Sequence, residues 1–318
     1  MNRLFQEHIV NLDLPPDQRW TFLIDYKEAI NDLLQCYLND FKGADFIFDN
    51  IELFKKVIIS EEYLQEIDFI ASISNFSSNE VLIANLYYDI LKFYFGCTAF
   101  AVSNGQAVMH GRNLDWHTEN NLLGMHSLIF NFKQEGKTLF KTIGWPGFIG
   151  TLSGIRPGKF SLTLNAVLSE DAPEIAMPVS FLLRDILTSS NSFQEAMQKL
   201  ENTKIASDCL ILLSGISADE KIVIERTPKR FATRTSDSGY IIVTNDYKKI
   251  QNNTSGISVL QSTSCGRYER AEFLLKKIIP DNLERCMDIL IDEGVKMNIT
   301  VQQMVFDNTT GDILCYTR

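Results

Sequence analysis

Apolar residues recur at three- and four-residue spacing through the first third of the chain and then, near residue 96, give way to short apolar runs separated by turns. After Pro15-Pro16, the positions Trp20, Leu23, Ile24, Tyr26, Ile30, Leu33, Leu34 and Tyr37 keep the helical period and predict a helix over 19–38. A further helix is predicted over 78–95, with Ser78 or Asn79 as N-cap and Val81, Leu82, Leu86, Ile90, Leu91 and Phe93 on its apolar side. Residues 16–95 as a whole read as helical. From Cys97 onward, strands are predicted at 98–102, 107–110, 127–132, 139–143, 148–152 and 160–164, and helices at 178–188 and 192–201. Strands resume at 209–214, 221–226, 231–235 and 240–244, then a helix at 267–277, then a hairpin of 300–306 and 313–316 around Asp307 to Gly311. That order predicts sheets with helices packed outside them. No internal repeat interrupts it.

Composition narrows the class. The 318 residues are 45% hydrophobic and 22% charged, enough for a large core, and no low-complexity tract separates independent units. One compact body is expected. The net charge of −10 argues against a nucleic-acid partner. Residues 1–10 carry Arg3, Glu7 and His8 and lack the apolar core of a secretory signal, so the chain is expected in the cytoplasm. The six cysteines form no CxxC pair, and His110, His117 and His126 form no metal pattern; no metal or cofactor is expected.

Within this ordinary composition, Gly96-Cys97-Thr98 and His110-Gly111-Arg112-Asn113-Leu114-Asp115 carry the chemistry. A thiol attacks an amide as its thiolate and needs a base or a cation nearby. If the Gly96–Cys97 bond is cut, the new α-amine supplies that base on the same residue, with an ordinary pKa of about 7.7 to 8.0. The same thiol can make the cut: sulfur attacks the Gly96 carbonyl, the acyl group moves from nitrogen to sulfur, and water hydrolyses the thioester. Glycine before the cysteine lets the scissile peptide adopt strained dihedrals. Ser103-Asn104-Gly105 is a hairpin signal that folds Arg112 and Asp115 back beside Cys97. There Arg112 is placed to hold the thiolate and Asp115 to orient the new amine. Trp145, Phe148 and Ile149, with the N-terminal helices, are read as the walls of an apolar groove.

These motifs, with Asn11-Leu12-Asp13-Leu14-Pro15-Pro16-Asp17-Gln18-Arg19-Trp20, the run Gly154 to Asn165, and Thr244-Asn245, resemble the acid ceramidase and N-acylethanolamine-hydrolysing acid amidase family. More distantly they are similar to bile salt hydrolases and penicillin V acylases, all N-terminal-nucleophile cysteine hydrolases. The resemblance implies a four-layer αββα fold and self-cleavage into a helical α-subunit, 1–96, and a catalytic β-subunit, 97–318, held together as a heterodimer. It implies an N-acyl lipid as substrate, with peripheral contact to a membrane. It also implies that Asn165 and Asn245 serve as oxyanion and amine-orienting groups, and that Arg267 is a late active-site arginine. Two departures stand out: Ala166-Val167 where the lipid amidases place Glu-Arg, and Asp246 ahead of Tyr247 where they place the aromatic or His first. An uncleaved, non-catalytic binding homologue and a bile-salt or penicillin acylase remain as alternatives.

Overall fold

The computed structural model describes residues 5–41, 46–91, 95–105, 107–116, 118, 121–252 and 262–317. Two sheets lie face to face. The larger runs β1(Gln6–Asn11)–β4(Leu128–Gln134)–β5(Lys137–Gly144)–β6(Ser153–Arg156)–β7(Phe160–Asn165)–β8(Cys209–Ser214)–β9(Lys221–Arg226)–β10(Phe231–Thr235). The smaller runs β11(Tyr240–Val243)–β2(Phe95–Ser103)–β3(Val108–Trp116)–β12(Thr300–Asp307)–β13(Ile313–Thr317). All pairings are antiparallel except that of β1 with β4. Alternation along the strands gives each sheet an inner face, where Ala99, Ala101, Leu210, Leu212, Val223 and Ile241 meet between the sheets. Helices α7(Val179–Ser189) and α8(Phe193–Asn202) cover the large sheet; α9(Ser264–Lys277) and α10(Leu283–Leu290) cover the small one. The four-layer αββα arrangement expected from the sequence is the one observed.

The N-terminal segment is helical, with α1(Lys27–Asp40), α2(Phe46–Ile58), α3(Glu61–Ile73), α4(Ser78–Asn85) and α5(Tyr87–Leu91), and it shares one core with the large sheet and α7. Its boundaries differ from the sequence reading. Thr21–Tyr26 is a 3₁₀ turn, so the helix predicted from residue 19 begins at Lys27. Ser77, not Ser78 or Asn79, caps α4 in a capping box with Glu80, because only Ser77 stands three residues ahead of that glutamate. The helix predicted through Phe95 ends early, since Phe95 pairs with Trp116 as the first residue of β2. Residues 148–152 are not a strand. Gly147 takes φ +85, and the Asn85 side chain binds its carbonyl at 2.9 Å and the Ile149 amide at 2.8 Å, capturing groups a strand would give to its neighbour. β1, β6, α10 and the short α6(Leu122–Met125) were not predicted.

Side chains tie the helical segment to the rest. Arg184 of α7, buried, meets Glu66 of α3 through two hydrogen bonds of 2.5 and 2.7 Å and lies over the Tyr63 and Phe132 rings. Asp89 of α5 accepts from the Val179 amide at 3.1 Å and the Ser207 hydroxyl at 2.7 Å.

Candidate active site

The β2–β3 hairpin builds the site. Its turn uses Gly105 at φ +89, and the Asn104 side chain accepts the Ala107 amide at 3.0 Å. The register then places Gly96 opposite Asp115, Cys97 opposite Leu114 and Ala99 opposite Arg112. Directly opposed residues share a face, so Cys97 and Arg112 both point between the sheets, while Gly96 and Asp115 point toward α9. Arg112 Nη2 stands 3.3 Å from Cys97 Sγ. The same guanidinium is fixed by the Leu152 carbonyl at 3.0 Å, the Ser153 hydroxyl and the Leu164 carbonyl.

The start of α9 supplies the other side. Arg267 Nη1 donates to the Cys97 carbonyl at 2.6 Å and the Thr98 hydroxyl at 2.8 Å, and its Nη2 to Asn245 Oδ1 at 2.7 Å. Asn245 Oδ1 also accepts the Cys97 amide at 3.0 Å, as an amine-orienting group would. Its Nδ2 is bonded to the Ala166 carbonyl, and Asn165 Nδ2 is bonded to the Val243 and Thr244 carbonyls. In the uncut chain both amide donors therefore hold main chain together. The structure brings Cys97, Arg112, Asp115, Asn165, Asn245 and Arg267 together.

Burial sets the protonation states. It pushes the Cys97 thiol up, against the opposing pull of Arg112, so Cys97 is held as a thiol. It pushes the Asp115 carboxyl up as well, against Arg267, the Thr300 hydroxyl and Arg112. Asp115 Oδ2 and Asn165 Oδ1 are buried without a hydrogen-bond partner. A cleft of about 280 Å³ opens beside the hairpin, lined by Trp116, Thr118, Asn121, Asn298, Ile299, Thr300 and Val301.

Trp145, Phe148 and Ile149 lie in closed core rather than along an open groove. Trp145 stands edge-on to Trp116 at 5.7 Å, and Trp116 stacks on Tyr37 of α1 at 5.4 Å, so these side chains adjoin the cleft through one tryptophan. His110 sits between the sheets with Ser161 and Ser214 on Nδ1 and Thr163 on Nε2. His117 lies outside the described residues. The sequence did not point to Thr300 or to Ser264, whose hydroxyl accepts the Asn245 amide at 2.9 Å. Each makes its contact through tertiary structure alone, and no local motif marks either.

Burial, aided by the Arg112 charge, pushes His110 down to about 3. The unfolded chain takes up that proton near pH 6.5, the folded one does not. His110 thus contributes stability that is full above pH 6.5 and falls by about 1.4 kcal/mol per pH unit as acid is added toward pH 3. Urea unfolding at pH 5 is expected to give a free energy lower than at pH 7 by roughly 2 kcal/mol from this group. His110→Gln is expected to remove that share of the difference.

The chain matches the acyl-coenzyme A:6-aminopenicillanic acid acyl-transferase family over residues 102–316. It belongs to that family. Acid ceramidase of Bos taurus, a relative of this acyl-transferase-family chain, is 25% identical over 348 residues, covering 98% of the chain and 85% of the ceramidase. The Homo sapiens acid ceramidase has the same identity and coverage. Among solved structures, the Caenorhabditis elegans N-acylethanolamine-hydrolyzing acid amidase ortholog superimposes with a TM-score of 0.59 at 24% identity, covering 68% of the chain and 94% of its own. The acyl-transferase-family chain therefore has the N-terminal-nucleophile hydrolase fold.

Proposed function

We propose that this protein is a self-processing cysteine amidase that hydrolyses N-acyl lipids of the N-acylethanolamine or ceramide type. The family and fold carry the coarser reading, an N-terminal-nucleophile hydrolase acting on linear amides. One observation supports the self-processing step above the others: Cys97 Sγ lies against Arg112 while Asp115 Oδ2, which takes no hydrogen bond and has Arg267 Nη1 3.9 Å away, faces the glycine of the bond to be cut. In the cut, the Cys97 sulfur bonds to the Gly96 carbonyl carbon, the carbon–nitrogen bond breaks, and the thiol proton passes to the departing nitrogen. That leaves the α-amine on Cys97; water then hydrolyses the thioester, freeing the Gly96 carboxylate and the thiol. In turnover that amine takes the thiol proton, and the thiolate attacks the substrate carbonyl. The proton goes on to the leaving amine. Water releases the fatty acid.

The helical segment 1–96 is read as the α-subunit and 97–318 as the β-subunit, with Arg184–Glu66 and the β1–β4 pairing keeping them associated. The names of the ceramidases and of the amidase support the lipid substrate class. Intact mass and N-terminal sequencing after incubation from neutral to acidic pH test the processing. Fragments ending at Gly96 and beginning at Cys97 are expected. A chain that stays whole at every pH would favour a binding homologue, because an uncut Cys97 has no α-amine.

A further inference from the structure

Thr300 lies where two strands fall out of step. In the β12–β3 pairing Val301 is an extra residue, so Gln302 opposes Leu114 while Thr300 opposes Asp115. A bulge of this kind re-aims the side chains beside it. Here the buried Thr300 hydroxyl donates to Asp115 Oδ1. A carboxylate only accepts, so the hydroxyl proton goes to Oδ1, while Thr300 Oγ1 accepts the Met297 amide at 2.9 Å. Oδ1 is therefore occupied. Oδ2 takes no hydrogen bond, its nearest cation being Arg267 Nη1 at 3.9 Å, and a Cβ built on Gly96 would stand 3.4 Å from it. The same turn holds the end of β3 and covers the glycine. The Ile299 carbonyl accepts the Trp116 amide at 3.0 Å, and the Met297 sulfur stands 3.0 Å from that Gly96 Cβ position.

We infer that Thr300 is a positioning residue for the nucleophile: it occupies one oxygen of Asp115 and presents the other to the amino group that cleavage creates on Cys97. This rests on the self-processing reading of the same site. The charged and titratable groups around Asp115 are Arg267 from α9, with Nη1 at 3.9 Å, Arg112 on its own strand and the Cys97 thiol on β2. The two guanidiniums favour the carboxylate, Arg267 from the Oδ2 side, but neither hydrogen-bonds it and so neither holds its orientation. A neutral donor on Oδ1 does.

The test follows the Asp115 carboxyl by carbon-13 NMR titration in a Cys97→Ala chain, and processing and turnover in an otherwise native one. Thr300→Val keeps the shape and removes the donor. It is expected to raise the Asp115 midpoint by about one pH unit. It is also expected to slow appearance of the Cys97 N-terminus roughly tenfold and to move the acid limb of kcat/KM to higher pH. Thr300→Ser, which keeps the hydroxyl, is expected to restore all three, as a purely space-filling role would not require. Thr300→Ala carries the expectations of the valine chain if that one does not fold. A native chain that cuts itself, beside a Thr300→Val chain with native midpoint and acid limb, would overturn the Thr300 assignment alone. A native chain that never yields a Cys97 N-terminus would overturn this assignment and the self-processing reading together.

Discussion

Cys97→Ala is expected to leave one full-length chain and to lower hydrolysis of N-acyl amides by roughly a thousandfold or more, the scale on which nucleophile removal acts. Both effects have a single cause. In the proposed mechanism the side chain that attacks the Gly96 carbonyl is the one that attacks the substrate, and the amine that activates it exists only after the first attack. Folding is not expected to suffer greatly. Cys97 Sγ accepts from Arg112, but that guanidinium keeps the Leu152, Ser153 and Leu164 oxygens when the sulfur is gone. Mass spectrometry of the purified variant and an assay of fatty acid release would read the two outcomes separately. Native turnover by the alanine chain would remove Cys97 from the mechanism.

Glu66→Leu is expected to destabilise the protein by about 3–5 kcal/mol, the cost of leaving a buried partner charge without its counterion. Arg184 would retain its bond to the Ile149 carbonyl at 3.1 Å but lose both oxygens of Glu66 in a setting with 2% of its side chain exposed. Arg19, the other cation on Glu66, keeps Glu62 and is affected less. The double variant Glu66→Leu/Arg184→Met is expected to recover most of the loss, since an apolar pair of similar volume removes the unpaired charge as well. Urea unfolding of the three chains measures this. If the proposed processing occurs, gel filtration of the processed protein adds a second reading, because Glu66 and Arg184 lie on opposite sides of the proposed cut. Early separation of the helical fragment is expected in the single variant only.

Much of this site was legible because its parts are close in sequence. Cys97, Arg112 and Asp115 belong to one hairpin whose turn residues announce it, and strand alternation then decides which side chains share a face. The layered architecture was legible from the change of period near residue 96. What escaped depended on partners far along the chain. β1 is a strand because β4, over a hundred residues later, pairs with it, and its own six residues are a short and largely polar run. Residues 148–152 look apolar enough for a strand, yet the Asn85 side chain takes the Ile149 amide and the carbonyl of Gly147 just before them. Thr300 acquires its contact from a bulge, a feature of two strands in register that neither strand displays alone.

The place of β1 bears on what the molecule, once cut as proposed, could do after it is unfolded. In the uncut chain the strand reaches β4 by an intramolecular search, carried by the residues between them. Severed at Gly96, the same pairing becomes an encounter between two molecules, governed by their concentrations. Recovery after heat or denaturant should then fall on dilution for the processed pair and stay constant for Cys97→Ala. The enzyme would be a protein that folds once, its persistence afterwards set by how slowly it comes apart.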